Sequence, residues 1–314
     1  MISVITPAYN AAKYIGQAIE SVQTQGIDEF EMLIIDDGST DETRDIILRY
    51  ADDDPRIILL QNEHSGVSEA RNRGLEEAKF DWVALLDADD VFLTGKLLKQ
   101  LESAKKFPEV LAWGTYAFNV GESGQIYDVT KTSPTDLKGY QKMLSDGDVF
   151  MPKNSSVLFR KSVLDRISKF ESKYDSSEDI EFWSRVAAIG PIVVIPEPLI
   201  LYRLHPKSLS VHKTDFQFMC LKFLGTRNLK WLSGEDLSLE EFLSGYRNRP
   251  WYERIVDYAT MKSNGYWRNA GLMTANGNRA LGMYWLVRSF MANPFLILWR
   301  LILKAETAIS RTLR

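Results

Sequence analysis

The feature that most constrains this chain is the alternation in its first ninety residues, where short apolar runs are separated by amphipathic stretches. Ile2 to Thr6 and Glu31 to Ile35 are apolar runs that end in polar residues, as buried strands of a parallel sheet do. Between them Ile15, Ala18, Ile19 and Val22 recur at the spacing of a helix with one apolar face, and Asn10 stands where it can cap that helix. Ser39 and Glu42 have capping-box spacing ahead of Ile46, Ile47 and Tyr50, which predicts a second helix. Arg56 to Gln61 reads as a third strand, a helix containing Ala70, Leu75 and Ala78 follows, and Trp82 to Leu86 reads as a fourth strand. Strands alternating with helices predict an α/β fold, a Rossmann-like doubly wound sheet that binds ligands at the C-terminal ends of its strands.

After Asp90 the pattern loosens. A helix is expected from about Thr94 to Lys106, then strands at Leu111 to Val120 and Ser155 to Phe159, a helix from Glu178 to Ala188, and strands at Ile192 to Ile195 and Leu199 to Leu204. From Thr214 onward the sequence reads as mainly helical and rich in aromatic residues. This predicts one domain in two halves, residues 1–95 and 96–213, with a helical extension over 214–314. A length of 314 residues, 45% of them apolar and 25% charged, suits an ordinary globular protein. The single cysteine, Cys220, has no partner for an intramolecular disulfide and is expected in the core. No basic, apolar leader precedes the first strand, so the expected location is cytoplasmic.

Three of the four early strands end in polar clusters that the topology would gather at one sheet edge: Pro7-Ala8-Tyr9-Asn10, Asp36-Asp37-Gly38-Ser39 and Asp87-Ala88-Asp89-Asp90. Asp87 and Asp89, two apart at the end of an extended run, would point the same way. Two carboxylates on one side suit a hard divalent cation such as Mg²⁺ or Mn²⁺, which can also hold phosphate oxygens. The plainer alternative is that Asp89 and Asp90 end the strand in solvent or cap the next helix.

Four segments together resemble glycosyltransferase family 2. They are Ser3-Val4-Ile5-Thr6-Pro7-Ala8-Tyr9-Asn10, Ile35-Asp36-Asp37-Gly38-Ser39-Thr40-Asp41, Ala70-Arg71-Asn72-Arg73-Gly74 and Leu86-Asp87-Ala88-Asp89-Asp90, in the order and spacing of that family. The likeness is strong over the first 90 residues and continues more weakly to about Ser210. It implies the GT-A fold, with a mixed sheet, and an inverting transfer of sugar from a nucleoside-diphosphate sugar to an acceptor hydroxyl. Carried over residue by residue, it implies that Pro7 and Tyr9 line the nucleotide pocket and that Asp37 accepts a hydrogen bond from the base, as a carboxylate can. Arg71 and Asn72 would face the nucleotide or diphosphate. Asp89 is the expected metal ligand, with Asp87 either a second ligand or a contact to ribose or donor sugar.

The resemblance places the general base in Ser177-Glu178-Asp179-Ile180-Glu181-Phe182-Trp183, with Asp179 as the base and Glu178 its competitor. A carboxylate there would take the proton from the acceptor hydroxyl as it attacks the sugar carbon. The alternative is that these acids only complement a helix N-terminus. Tyr202-Arg203-Leu204-His205-Pro206-Lys207 resembles a later family segment, in which His205 would complete the metal shell or touch phosphate and Arg203 or Lys207 would offset charge on the leaving nucleotide.

The end of the chain is distinct. From Lys262 onward eight Lys and Arg face one acid, Glu306, a balance of +7 that leaves −11 on the preceding residues, given −4 for the whole. Arg300, Lys304, Thr307, Arg311 and Arg314 share one helical face and Leu298, Ile302, Ala305, Ile309 and Leu313 another, the pattern of a basic amphipathic helix lying on a membrane through 295–314. The competing expectation is a terminal helix docked on its own domain or on a second subunit of a homo-oligomer. A membrane contact would favour a lipid-linked glycan acceptor and a place at the inner face of the membrane. Nucleic acid is not an expected partner, because the body is acidic and the basic end is rich in Leu and Ile.

Rival functions are narrower. Asp87-Ala88-Asp89-Asp90-Val91 also fits the signature of haloacid-dehalogenase-like phosphatases, but no later apolar strand leads into the acidic motif such enzymes need. A Walker nucleotidase is excluded because the residue five before Gly95 is Asp90 rather than glycine. A catalytically silent relative acting as an adaptor is the non-enzyme alternative. The Gln-x-x-Arg-Trp segment of processive relatives is missing, which favours single-sugar addition.

Overall fold

The computed structural model describes residues 1–174, 176–204, 214–275, 277–298 and 300. Strands β1 (Ile2–Ala8), β2 (Phe30–Asp36), β3 (Ile57–Gln61) and β4 (Trp82–Leu85) alternate with helices α1 (Ile15–Gln23), α2 (Thr43–Asp53) and α3 (Val67–Glu77). They pair in parallel in the order β3-β2-β1-β4, with Ile2 level with Phe30 and with Trp82. Because side chains alternate across a strand, even these nearly all-apolar runs sort into two faces. Ile2, Val4, Met32 and Ile34 pack with Ile15, Ile19 and Ile47 of α1 and α2, whereas Ile5, Leu33 and Ile35 pack with Ala70 and Leu75 of α3. Gly74 lets α3 approach closely, since a Cβ there would fall 2.5 Å from Ile5 Cγ2.

The sheet then continues with mixed direction. β5 (Val91–Phe92), α4 (Lys96–Lys106), β6 (Ala112–Val120), β7 (Ile126–Thr130), α5 (Leu137–Ser145), β8 (Leu158–Arg160), α6 (Glu178–Ile189) and β9 (Ile192–Arg203) follow in the chain. The nine strands form one sheet in the order β3-β2-β1-β4-β8-β6-β9-β5, with β7 on β6. β8 runs antiparallel to β4 and β6, β9 is parallel to β6, and β5 is antiparallel to β9. Residues 1–95 and 96–213 thus contribute strands to the same sheet.

Several local expectations are corrected. Asn10 does not cap α1, whose N-cap is Tyr14; instead Asn10 sits at a left-handed φ of 49° and its Oδ1 accepts from the Thr40 N–H. Ser39 and Glu42 form no capping box, because Ser39 Oγ accepts from the Asn10 N–H and α2 starts only at Thr43. The two strands expected at 192–195 and 199–204 are one, β9, whose pairing with β6 slips where Pro196 and Pro198 interrupt the ladder. The segment expected as a strand from Ser155 opens as a 3₁₀ turn, Asn154–Ser156, before β8. Gly95 rather than Asp89 or Asp90 stands at the N-cap of α4.

Residues 1–120, 126–203 and 224–236 form one compact unit. A second comprises 121–125, 204–223 and 237–314, so far as described. Helices α7 (Thr214–Leu232), α8 (Leu239–Arg247), α9 (Trp251–Ala275) and α10 (Arg279–Ala292) make the described residues from 214 onward mainly helical, as expected. Cys220 is buried in α7. His205 and Lys207, and the tail beyond Arg300, lie outside the described residues. Among those described, no helix is long and apolar enough to cross a membrane.

Candidate active site

The C-terminal ends of β1, β2 and β4 are tied into one edge. The Asp37 N–H donates to Ala8 O at 2.8 Å and the Leu86 N–H to Ile5 O at 3.0 Å. The loops after β1 and β2 are laced together by Ala11 N to Thr43 Oγ1 and by Ala12 N to Asp41 Oδ2. Pro7 is the last residue but one of β1, level with Ile35, and Tyr9, half exposed, follows the strand end at Ala8. The Tyr9 ring stacks on His64 with centroids 4.2 Å apart, and both side chains are exposed.

Asp37 is buried, and its carboxylate is already engaged. Oδ1 accepts from the Ser65 N–H and hydroxyl, Oδ2 accepts from the Gly66 N–H, and His64 Nδ1 lies 3.1 Å from Oδ2. A carboxylate offers about four lone-pair positions. Asp37 therefore organises the 64–66 loop, and a base N–H could reach it only by sharing an oxygen. His64, Ser65 and Gly66 are part of the edge although no spacing in the sequence singled them out.

Asp87 and Asp89 do not share one face of an extended strand. β4 ends at Leu85, and the Asp90 N–H turns back to Asp87 O at 3.0 Å. The turn is pinned from behind by Asp90, which is fully enclosed: Oδ2 accepts from Ser155 Oγ at 2.5 Å and Oδ1 from the Arg203 N–H at 2.8 Å. Ser155 Oγ in turn accepts from the Asp87 N–H. Arg203 is buried, donating from Nε to Asp89 O and from Nη2 to Gln17 Oε1. Burial, with Asp89 and Asp87 beside it, holds the Asp90 carboxyl well above its usual range, and burial likewise raises that of Asp87. Asp87 and Asp89 themselves stay partly open.

Arg71, on the inner face of α3, joins this turn to α6. Nη2 meets Asp87 Oδ1 at 3.0 Å and Nη1 meets Glu178 Oε1 at 2.7 Å, with the guanidinium 5.5 Å from the Phe170 ring centre. The neighbouring Asn72 spends both ends of its amide on the Phe170 backbone, donating to O and accepting from N, each at 2.9 Å. Its amide fixes the loop before α6.

The first turn of α6 carries three acids in different states. Glu178 is paired with Arg71, and Glu181 is held by Arg185 and Arg227. Asp179 has no ion pair among the described residues and accepts only from the Ile180 N–H. Burial and the adjacent Glu178 push its carboxyl up to about 7, against the pull of Arg71. Ser176, just before this turn, holds a left-handed φ of 67° that a non-glycine residue rarely adopts.

A parallel half-sheet whose C-terminal edge gathers acids and an aromatic pair, continued by antiparallel strands, is the GT-A fold. The comparisons agree with this geometry. A family model described as glycosyl transferase family 2 matches residues 3–168. Escherichia coli WfgD, a UDP-Glc:α-D-GlcNAc-diphosphoundecaprenol β-1,3-glucosyltransferase, is 32% identical over 218 residues, 68% of this chain and 81% of WfgD. Bacillus subtilis TuaG, named for teichuronic acid biosynthesis, is 48% identical over 103 residues, 32% of this chain and 41% of TuaG. The chain thus spans well under half of TuaG and about four fifths of WfgD. The crystal structure of Staphylococcus aureus TarS 1–349 with UDP-GlcNAc superposes with a TM-score of 0.58 at 18% identity, over 93% of this chain and 88% of that one. The chain belongs to glycosyl transferase family 2.

Proposed function

We propose that the chain transfers a sugar from a nucleoside-diphosphate sugar to a hydroxyl of a glycan or lipid-linked glycan acceptor, in one inverting displacement with Asp179 as base. The observation that carries this reading is the state of Asp179, a partly open carboxyl held near 7 and unpaired among the described residues, one residue from the acid that Arg71 ties to Asp87. A base works best with a pKa near the working pH. Glu178, locked on Arg71, is the poorer candidate.

The acceptor hydroxyl gives its proton to Asp179 as its oxygen bonds to the sugar C1 carbon. The bond from C1 to the diphosphate breaks in the same step, and the diphosphate leaves with the electron pair. Tyr9 and His64 offer a stacking surface for the base, Asp37 holds the loop beside it, and Arg71 keeps Asp87 and Glu178 in register. Arg203 braces the 87–90 turn by bonding Asp89 O. Pro7 shapes the pocket wall.

The donor chemistry fits a divalent cation, Mn²⁺ or Mg²⁺: Asp89 and Asp87 are hard oxygen donors, crowded with Asp90. Held by Asp89 and Asp87, with His205 as a further candidate, it would offset charge on the leaving diphosphate. The tail over 295–314 is read as a contact with the inner face of a membrane.

The test is Asp179→Asn. Turnover should fall by about 10²- to 10⁴-fold while nucleotide-sugar binding is kept. Turnover close to that of the unaltered chain would overturn the assignment. Donor binding without turnover in the unaltered chain, across acceptors, would point to a silent adaptor.

A further inference from the structure

The α9–α10 hairpin has its polarity reversed. Beside the Tyr266–Trp285 stack, whose ring centres are 5.5 Å apart, the helix contact is made by small or hydroxylic residues. A Cβ on Gly282 would fall 2.2 Å from Thr274 Oγ1, Ser263 Oγ donates to Ser289 O at 3.0 Å, and Ser289 Oγ donates to Ser263 O at 2.7 Å. The opposite face of α10 carries Met283, Tyr284, Val287, Phe290 and Met291, all exposed, with Met291 at 77%. Their spacing puts them on one stripe, and exposed Phe295 and Leu298 continue the apolar surface.

A helix in water buries its large apolar residues and exposes its small and polar ones. Small residues and hydroxyl bonds between helices, with large apolar side chains outward, is the arrangement found in lipid. At 14 residues α10 is about 21 Å long, too short to span a bilayer, so the fitting position is flat on its surface.

Charge identifies the surface. No acid occurs between Asp257 and Glu306, whereas Lys262, Arg268, Arg279, Arg288 and Arg300 do. Tyr266, Tyr284 and Trp285 surround Arg288, residue types that favour the headgroup layer. A second copy of the chain would set these cations against their own kind. An anionic lipid layer complements them and repels the acidic remainder.

We propose that the α9–α10 hairpin seats the chain on an anionic phospholipid bilayer, with the Met283–Met291 stripe entering the acyl boundary. The proposal extends the membrane reading of the tail but is carried by α9 and α10, and the test separates the two.

Flotation with phosphatidylglycerol-containing vesicles and with pure phosphatidylcholine vesicles would be measured for the full chain, for V287E/M291E, and for a chain ending at Arg300. Binding of the full chain to the anionic vesicles only, at least about tenfold weaker in V287E/M291E at unchanged melting temperature and kept in the shortened chain, is the expected result. Absence of binding by the full chain overturns the proposal, as does equal binding by V287E/M291E. Binding lost only on shortening the chain would credit the tail instead. Self-association that V287E/M291E abolishes, without vesicle binding, would make the stripe a contact between copies.

Discussion

At the scale of single residues the site is a set of carboxylates whose surroundings drive them apart. Asp179 ionises near 7 in the folded chain against an ordinary value of 3.8, and only the ionised form can accept a proton. The kcat/KM should therefore rise with pH through about 7, which a pH–rate profile would show; a flat profile from pH 5 to 8 would contradict it. Stability runs the other way. The folded chain holds this proton more tightly than the unfolded one, so the contribution is complete below about 4 and is lost as pH rises through about 7. Asp179→Asn removes that loss, and at pH 8 the inactive variant should melt no lower than the unaltered chain. Ser155 is the second test at this scale. Removing its hydroxyl leaves the enclosed Asp90 oxygen and the Asp87 N–H without their partner, so Ser155→Ala should cost about 1–3 kcal/mol in denaturant unfolding and weaken donor binding. The motif residues were legible because their chemistry is written in type and spacing. Ser155 was not, because it reaches Asp90 from 65 residues away and no local pattern reports such a contact. The pairing of Arg71 with both Asp87 and Glu178 was hidden for the same reason.

At the scale of elements, periodicity located β1 to β4 and α1 to α3 because each buries one face on a shared sheet. It failed at the caps. Asn10 and Ser39 look like helix starters, yet they bond to each other's loops across the sheet edge, where tertiary pairing outweighs a cap. It failed again at the acidic turn, where an extended chain was assumed and a reverse turn is found. α3 offers the sharpest test of packing, since Arg71 and Gly74 lie on its inner face. A Cβ at residue 74 would lie 2.5 Å from Ile5 and 2.9 Å from Ile35. Gly74→Ala should therefore destabilise the fold by about 1–3 kcal/mol and displace Arg71, lowering activity beyond the loss of folded protein. Unchanged denaturation and turnover would show that the helix can yield without moving the site.

At the scale of the whole molecule, the alternation of strands and helices pointed to the class, and the four ordered segments to the family. For the end of the chain the sequence offered a membrane face over 295–314 or a docked helix, because amphipathic spacing does not say which face will find a partner, and the residues beyond Arg300 lie outside those described. Donor identity is open to a thermal-shift panel of nucleoside diphosphates and their sugars, with and without Mn²⁺. A ligand at 100 times its Kd should add about 2.7 kcal/mol, and chelation should diminish the shift if the cation bridges the diphosphate to Asp89. The single nine-stranded sheet carries a practical consequence for anyone wishing to recombine this chain with its relatives. β4 finds its outer neighbour in β8, and the two-residue β5 pairs with β9 at Ile200 and Leu201. A cut near residue 95 would leave β4 as a raw hydrogen-bonding edge, prone to recruit strands from other molecules. Donor and acceptor preferences are therefore better exchanged as loops on an intact scaffold than as halves.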